Sequence, residues 1–260
     1  MAQGDFYPDE QRPSIAIKRR SSLLRISLAG CVGTLIFLAI AAGIGVAILS
    51  VFFPNALNGI IGGITGVQVP QTRALPGSAG AFDPVASFAA VSAFAGSDAQ
   101  LTSISAANVR SDGTLDLNAT YSPAPRVDYE FVHEVPRPAD APPVGAGGTG
   151  TGPWYEPVTI EVYQPGARRH VTRIGGGVST SFDYVNDGMT RDTDSPTTSL
   201  SDPIVVAPKC GFADLWKVAL QNDAPKDAVA RIDYKAAGYS FSISALKVYL
   251  QFDLDCRLKK

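Results

Sequence analysis

The hydrophobic pattern changes character along the chain. Between Arg25 and Arg73 there is no charged residue, and the run 26–53 is almost wholly apolar, its few polar side chains including Ser27, Thr34 and Ser50. About 20 apolar residues in a helix cross the hydrocarbon core of a bilayer, so this run predicts one transmembrane helix with length to spare. Lys18, Arg19, Arg20 and Arg25 precede it and no basic residue follows closely, which predicts the N-terminus in the cytoplasm and the bulk of the chain outside. The rival reading of a cleaved signal peptide meets an apolar stretch about twice the usual 7–15 residues. Leu28-Ala29-Gly30-Cys31 resembles a lipobox but precedes most of the apolar run, and Arg19-Arg20 is followed by Ser21-Ser22 where a twin-arginine signal wants an apolar residue. Small residues at four-residue spacing, Ala39, Gly43 and Ala47, offer a face for packing against another helix; a plain anchor is the alternative.

On either side of the span the pattern weakens. Residues 1–17, with Gly4, Pro8 and Pro13, predict a disordered cytoplasmic tail, and 18–53 hold the basic flank and the span. Residues 54–81 are apolar at first but carry Gly59, Gly62, Gly63 and Gly66, then Pro76, Gly77 and Gly80. They predict a Gly-rich juxtamembrane linker.

From residue 82 the periods of 3.6 and 2 alternate. Asp83-Pro84 reads as an N-cap and first helical residue, Val85, Phe88, Val91 and Ala95 follow at helical spacing, and Gly96 ends the helix. Strands are predicted at 101–109, 114–121 and 127–135, the first two joined at Ser111-Asp112-Gly113. The end of the chain repeats the order. Phe212, Leu215, Trp216, Ala219 and Leu220 make a helical stripe, and strands follow at 228–234, 239–244 and 246–254. Residues 250–255 echo 129–134 in alternating apolar with polar or acidic positions. The expected fold class is therefore α+β: a transmembrane helix, then an extracytoplasmic domain at 82–260 of two helix-strand-strand-strand units, 82–135 and 208–260, with additional β-hairpins. Between them lie a Pro/Gly-rich mobile loop at 136–153 and a β-rich insert at 154–207. In the insert, Val158, Ile160 and Val162 alternate with polar residues, Arg168–Ile174 and Val178–Tyr184 follow, 186–201 is a polar loop and 204–207 a short edge strand.

Composition narrows the function. There are 22 Lys plus Arg against 24 Asp plus Glu, and a net charge of −2 gives no reason to expect nucleic acid as a partner. Of three cysteines, Cys31 lies in the apolar run, while Cys210 and Cys256 bracket the second unit and are predicted to pair in an oxidising compartment. A loop of that length would stabilise by about 4 kcal/mol on the chain-entropy argument. The two histidines, His133 and His170, have no neighbours at zinc-ligand spacing, and no G-x-S-x-G, P-loop or Rossmann pattern occurs. No cofactor is expected. The acids Asp183, Asp187, Asp192 and Asp194 could serve a calcium loop at 183–194, although the spacing is not that of an EF-hand. Arg168, Arg169 and Arg173, with His170, form a candidate anion-binding cluster, and a charge-protected strand edge is the alternative. Asn118-Ala119-Thr120 matches a glycosylation acceptor. Gly175–Gly177, with no Lys-Ser/Thr following, reads as a bulge or turn.

Helix followed by three strands, twice over, at residues 86–121 and 213–254, resembles the PepSY-type modules of bacterial membrane-anchored envelope proteins. That resemblance implies a non-catalytic role in binding or inhibiting envelope proteins. The chain departs from the family at its end, where Cys256-Arg257-Leu258 stands in place of a Thr-Gly-Glu-like sequence. The expectation is a single-pass cell-membrane protein whose extracytoplasmic domain binds or scaffolds a membrane or envelope protein, an accessory subunit with the lipid bilayer as its other partner and no enzymatic activity. The alternatives are an extracytoplasmic ligand sensor, or a hydrolase working through carboxylates such as Asp183, Asp187 or Glu161.

Overall fold

The computed structural model describes residues 70–139, 141, 152–175 and 178–259. All belong to the unit Asn58–Lys260. The strands are β1 (Gln71–Ala74), β2 (Gln100–Val109), β3 (Arg126–Val135), β4 (Trp154–Val162), β5 (Arg168–Gly175), β6 (Val178–Val185), β7 (Gly188–Thr193), β8 (Ala230–Lys235), β9 (Gly238–Ile243) and β10 (Val248–Phe252). Two α-helices accompany them among the described residues, α1 (Phe88–Ala95) and α2 (Phe212–Gln221). Eight strands form one antiparallel sheet in the order β1-β7-β4-β3-β2-β8-β9-β10, and β5 and β6 pair apart as a two-stranded extension of the β4–β7 connection.

The pairing registers decide which residues share a face, because directly opposed residues project the same way. One row runs Met189–Val162–Val127–Ala106–Ile232–Phe241–Leu250, and the next runs Ile160–Tyr129–Ile104–Tyr234–Tyr239–Phe252. Most of these side chains are fully buried. Both helices cover this face. The Phe88 ring of α1 lies 6.3 Å from Phe131 and 6.5 Å from Tyr129, and the Trp216 ring of α2 meets Phe241 edge-on at 4.9 Å. The core is a single layer between two helices and one sheet, and its driving force is burial of these aromatic and branched side chains.

The expected α+β class is corrected: the domain is mostly β, and its two proposed units are not separate. Strand β2 pairs with β3 on one side and with β8 on the other, so a single sheet runs through both halves. The predicted strand 114–121 is absent. Phe82 and Leu115 exchange backbone hydrogen bonds, Leu117 N–H donates to Ala79, and Asp112 and Asp116 accept from the backbone N–H of Thr114 and Asn118, closing two turns. Leu115 and Leu117 still enter the core, but from a looped segment laid against 79–82. The first half is thus helix, strand, strand. In the second half, the last strand spans only Val248–Phe252, because a 3-10 turn at Ser244–Leu246 and left-handed Lys247 precede it.

Other boundaries also move. Asp83 caps as expected, its carboxylate accepting from Val85 and Ala86 N–H, yet a separate turn intervenes and α1 begins at Phe88. Gln71–Ala74, within the expected linker, pairs with β7 as an edge strand. Gly188–Thr193, within the expected polar loop, lies inside the sheet. Segment 204–207 forms no strand, although Val205 N–H donates to Leu101 C=O at 2.7 Å.

The membrane reading is likewise corrected on what the structure describes. No helix among the described residues is long and apolar enough to cross a membrane. The predicted span 26–53, with its Ala39, Gly43 and Ala47 face, and the tail 1–17 lie outside the described residues, as do most of the loop 136–153 and the glycines 176–177.

Cys210 and Cys256 are joined by a disulfide, Cα to Cα 5.7 Å, tying the start of α2 to the turn after β10. The Tyr239 hydroxyl accepts from Lys209 and Cys210 N–H, both at 3.1 Å, fixing the same corner to the sheet. Gly238 is required there. Its φ is +107°, and a Cβ would stand 2.1 Å from the Phe252 carbonyl oxygen.

Candidate functional site: the open face of the sheet

Side chains that alternate with the core rows point to the opposite side of the sheet. There one row runs Thr190–Glu161–Asp128–Ser105–Asp233–Ser240–Gln251 across seven strands. The next holds Asp192, Thr159, Glu130 and Ser103. Neither helix covers this face. The segment 194–202 crosses part of it, tied down where Tyr155 and Thr197 exchange backbone hydrogen bonds at 2.8 Å and where Lys235 Nζ meets Asp202 at 2.8 Å, and Asn186 covers Thr190 at the β7 end.

Charges here are interlaced rather than of one sign. Arg169 reaches from the base of β5 to Glu161 at 2.7 Å, and its guanidinium lies 4.8 Å from the centre of the Tyr163 ring. Arg126 approaches Asp128 at 3.3 Å and Glu161 at 3.9 Å. Arg231 clasps Asp233 through Nε at 3.1 Å to each carboxylate oxygen and donates to Ser105 Oγ at 2.7 Å. Asp128 occupies the middle of this lattice. Burial pushes its carboxyl above the ordinary range, Arg126 and Arg231 pull it back, and the neighbouring Glu161 and Glu130 add to the upward push.

A cleft of about 200 Å³ opens where segment 194–202 overhangs β3 and β4. Glu130, Val132, Pro157 and Thr159 form its floor, because Glu130 opposes Thr159 and Val132 opposes Pro157 across the strand pair. Thr197, Ser199, Leu200 and Asp202 make the overhanging wall. One end of the floor is apolar and the other carries a carboxylate. Ser103 Oγ donates to Glu130 Oε2 at 3.1 Å, and among the described residues no hydrogen bond reaches Glu130 Oε1.

The remaining candidates disperse. Arg168 and Arg169 are sequence neighbours on a strand and so project to opposite faces, Arg169 is engaged by Glu161, and the side chain of Arg173 lies outside the described residues. Of the expected anion-binding cluster, only Arg168 and Arg169 have side chains among the described residues. Of the calcium-loop acids, Asp183 pairs with His170 at 2.8 Å and Asp187 accepts from Thr72 Oγ1 at 2.6 Å, while Asp192 and Asp194 lie at the far end of β7. Among the described residues no three His, Cys, Asp or Glu side chains converge as a metal site.

Among the described residues neither imidazole is hydrogen-bonded to a hydroxyl or thiol. His133 is buried, with Nδ1 at 2.9 Å from Asp98 and Nε2 at 3.1 Å from the Ala95 carbonyl, so both ring nitrogens are occupied by acceptors. Arg191 Nε donates to the same carbonyl at 3.2 Å, so the C-terminal end of α1 is met by two basic side chains. His170 pairs with Asp183 on an exposed strand pair, and among the described residues no hydroxyl or thiol is bonded to it.

The sequence reading passed over Asp128, Arg126, Arg231 and Asp233. The signal was present: polar residues alternate at 126, 128 and 130, at 159 and 161, and at 231, 233 and 235. Alternation in three strands marks a second, solvent-facing side, but only the pairing order shows that these stretches adjoin. No family model, no curated protein and no solved structure matches the chain, and nothing in those comparisons bears on the PepSY-like resemblance.

Proposed function

We propose that the described domain is a non-catalytic binding module that engages a protein partner through the open face of its sheet in an oxidising, extracytoplasmic compartment. The observation that carries this reading is the asymmetry of the sheet: two helices bury one face, and the other displays hydroxyls and paired charges across the six adjacent strands from β4 to β10. Such a face is held firmly, because most of its side chains stand on strands paired on both sides. It also offers donors and acceptors at fixed spacing, which favours specificity over bulk hydrophobic affinity. The Cys210–Cys256 disulfide supports the compartment, since structural disulfides persist where thiols are not kept reduced.

The hydrolase alternative finds less support. Glu161 is engaged by two arginines, Asp183 is paired with His170 near the end of β6, and Asp187, in the turn after it, accepts from Thr72. A working carboxylate pair needs one acid held protonated and one free base at a shared cleft.

Site-specific photo-crosslinking in cells tests the proposal. A photoreactive residue at Ser105 or Ser242, on the open face, should give one discrete partner adduct, and the same residue at Ala90 or Lys217, on the helices, should give none. Adducts from the helix side alone would overturn the reading.

A further inference from the structure

We infer that the cleft beneath segment 194–202 is a subsite for a primary alkylammonium group, held by Glu130 and sheathed by Val132, Pro157 and Leu200. This deepens the binding reading above by naming the chemistry that one part of the open face accepts. Three observations carry it. First, the cleft holds about 200 Å³, below the roughly 300–1,000 Å³ of pockets for drug-sized ligands, so it suits one side chain or a small amine. Second, its polarity is graded: Val132 and Pro157 line one part of the floor, and the Glu130 carboxylate stands one residue pair further along the same face. An amine on an alkyl stem matches that gradient, its methylenes on the apolar floor and its charge on the acid. Third, Glu130 has an acceptor left over. Ser103 occupies Oε2 and, among the described residues, no hydrogen bond reaches Oε1.

The lining also discriminates. Glu130, Asp194 and Asp202 are the charged residues of the lining and none of the lining residues is basic, which favours a cation over an anion. The nearby cation Lys235 is bonded to Asp202 at 2.8 Å; Glu130 also acts on its charge, but no hydrogen bond joins the two among the described residues. A metal ion would need several converging oxygen ligands, and among the described residues these acids form no such group. The ammonium would bond to Glu130 Oε1 through a charge-assisted hydrogen bond, with the threonine and serine hydroxyls of the wall within the same cleft.

The test is an amide chemical-shift titration of the full, oxidised, isotope-labelled chain with three probes: Nα-acetyl-lysine methylamide, n-butylammonium and the neutral Nα-acetyl-norleucine methylamide. The two amines should shift the amides of Thr159, Thr197 and Ser199 saturably, and the norleucine compound should bind about tenfold more weakly or not at all. Tighter binding of the lysine compound than of n-butylammonium would identify a partner protein's lysine as the source, and the reverse order a free amine. Glu130→Gln should cost about tenfold in affinity while the remaining amide pattern stays in place. Ser199→Trp, which fills the cleft and keeps the carboxylate, should abolish binding. Equal binding of norleucine, unchanged affinity in either folded variant, or no saturable shift in the wild-type chain would overturn the inference. Retention of the crosslinked partner in a variant that has lost amine binding would confine the failure to this subsite. Loss of the crosslink with amine binding intact would instead remove the broader reading.

Discussion

The two faces of the sheet are built from the same strands and differ in what they contribute. On the helix-covered side, Trp216, Tyr129, Phe131, Tyr234, Tyr239 and Phe241 are at most 1% exposed and close-packed, so each carries a large share of the hydrophobic stabilisation. On the open side, Arg126 and Arg231 keep half or more of their side-chain surface in water, where an ion pair contributes little after solvent screening and side-chain ordering. Stability therefore resides mainly on one side of the backbone, and the other side contributes little to it. Substitutions on the two sides should separate cleanly by magnitude.

The largest effect is expected in the core. Trp216→Ala removes a fully buried ring stacked edge-on to Phe241 and should lower the free energy of unfolding by about 3–5 kcal/mol, read as a shift in the denaturant midpoint. Retention of the wild-type midpoint would show that α2 does not hold the sheet. Next comes the covalent tie on the same side. Replacing Cys210 and Cys256 by serine opens a loop with a sequence separation of 46 and should cost about 2–4 kcal/mol, a loss that reduction of the wild-type protein should reproduce.

The open face should respond far less. Arg231→Ala breaks the contacts to Asp233 and Ser105 and should change stability by about 1 kcal/mol or less while weakening partner capture. A loss approaching that of Trp216→Ala would erase the contrast between the faces. The smallest effect is a pH dependence at Asp128. Its carboxyl is pushed upward in the folded state, so the folded chain holds that proton more tightly than the unfolded chain does, and its contribution to stability falls as pH rises through the carboxylate range. Asp128→Asn should accordingly be more stable than wild type near neutral pH, with the difference shrinking on acidification. The opposite slope would mean that Arg126 and Arg231 outweigh burial. At Asp98 the sign reverses. The hydrogen bond from His133 holds its carboxyl below the ordinary value, so the stability it adds is present above the carboxylate range and is lost as pH falls through its lowered pKa.

Much of the local structure was legible because periodicity is a local property. The stripe Phe212, Leu215, Trp216, Ala219 located α2, and alternation located β3, β4, β8 and β9 to within a few residues. The segment Thr114–Tyr121 misled because Leu115 and Leu117 do alternate with polar neighbours, while Asp112 and Asp116 satisfy the backbone locally and spare it from a sheet ladder. Of the candidate sites, Cys210 and Cys256 were visible as cysteines that bracket one helix-and-strand unit. The carboxylate and arginine lattice was not, since its members come from β3, β4, β5 and β8.

Sequence alone determined where apolar and polar positions alternate, and so which residues of each strand share a side. Tertiary structure alone decided how the strands are ordered: that β2 lies between β3 and β8, that β7 inserts beside β4, and that β1 closes the edge. The physical reason is that a strand's two faces are encoded by its own side chains, whereas its two edges are identical rows of backbone N–H and C=O groups. Nothing in a strand's composition names its neighbour. That choice comes from which arrangement buries Tyr129, Ile104, Tyr234 and Tyr239 in one continuous row beneath two helices, and the open face with its cleft is formed by the same choice.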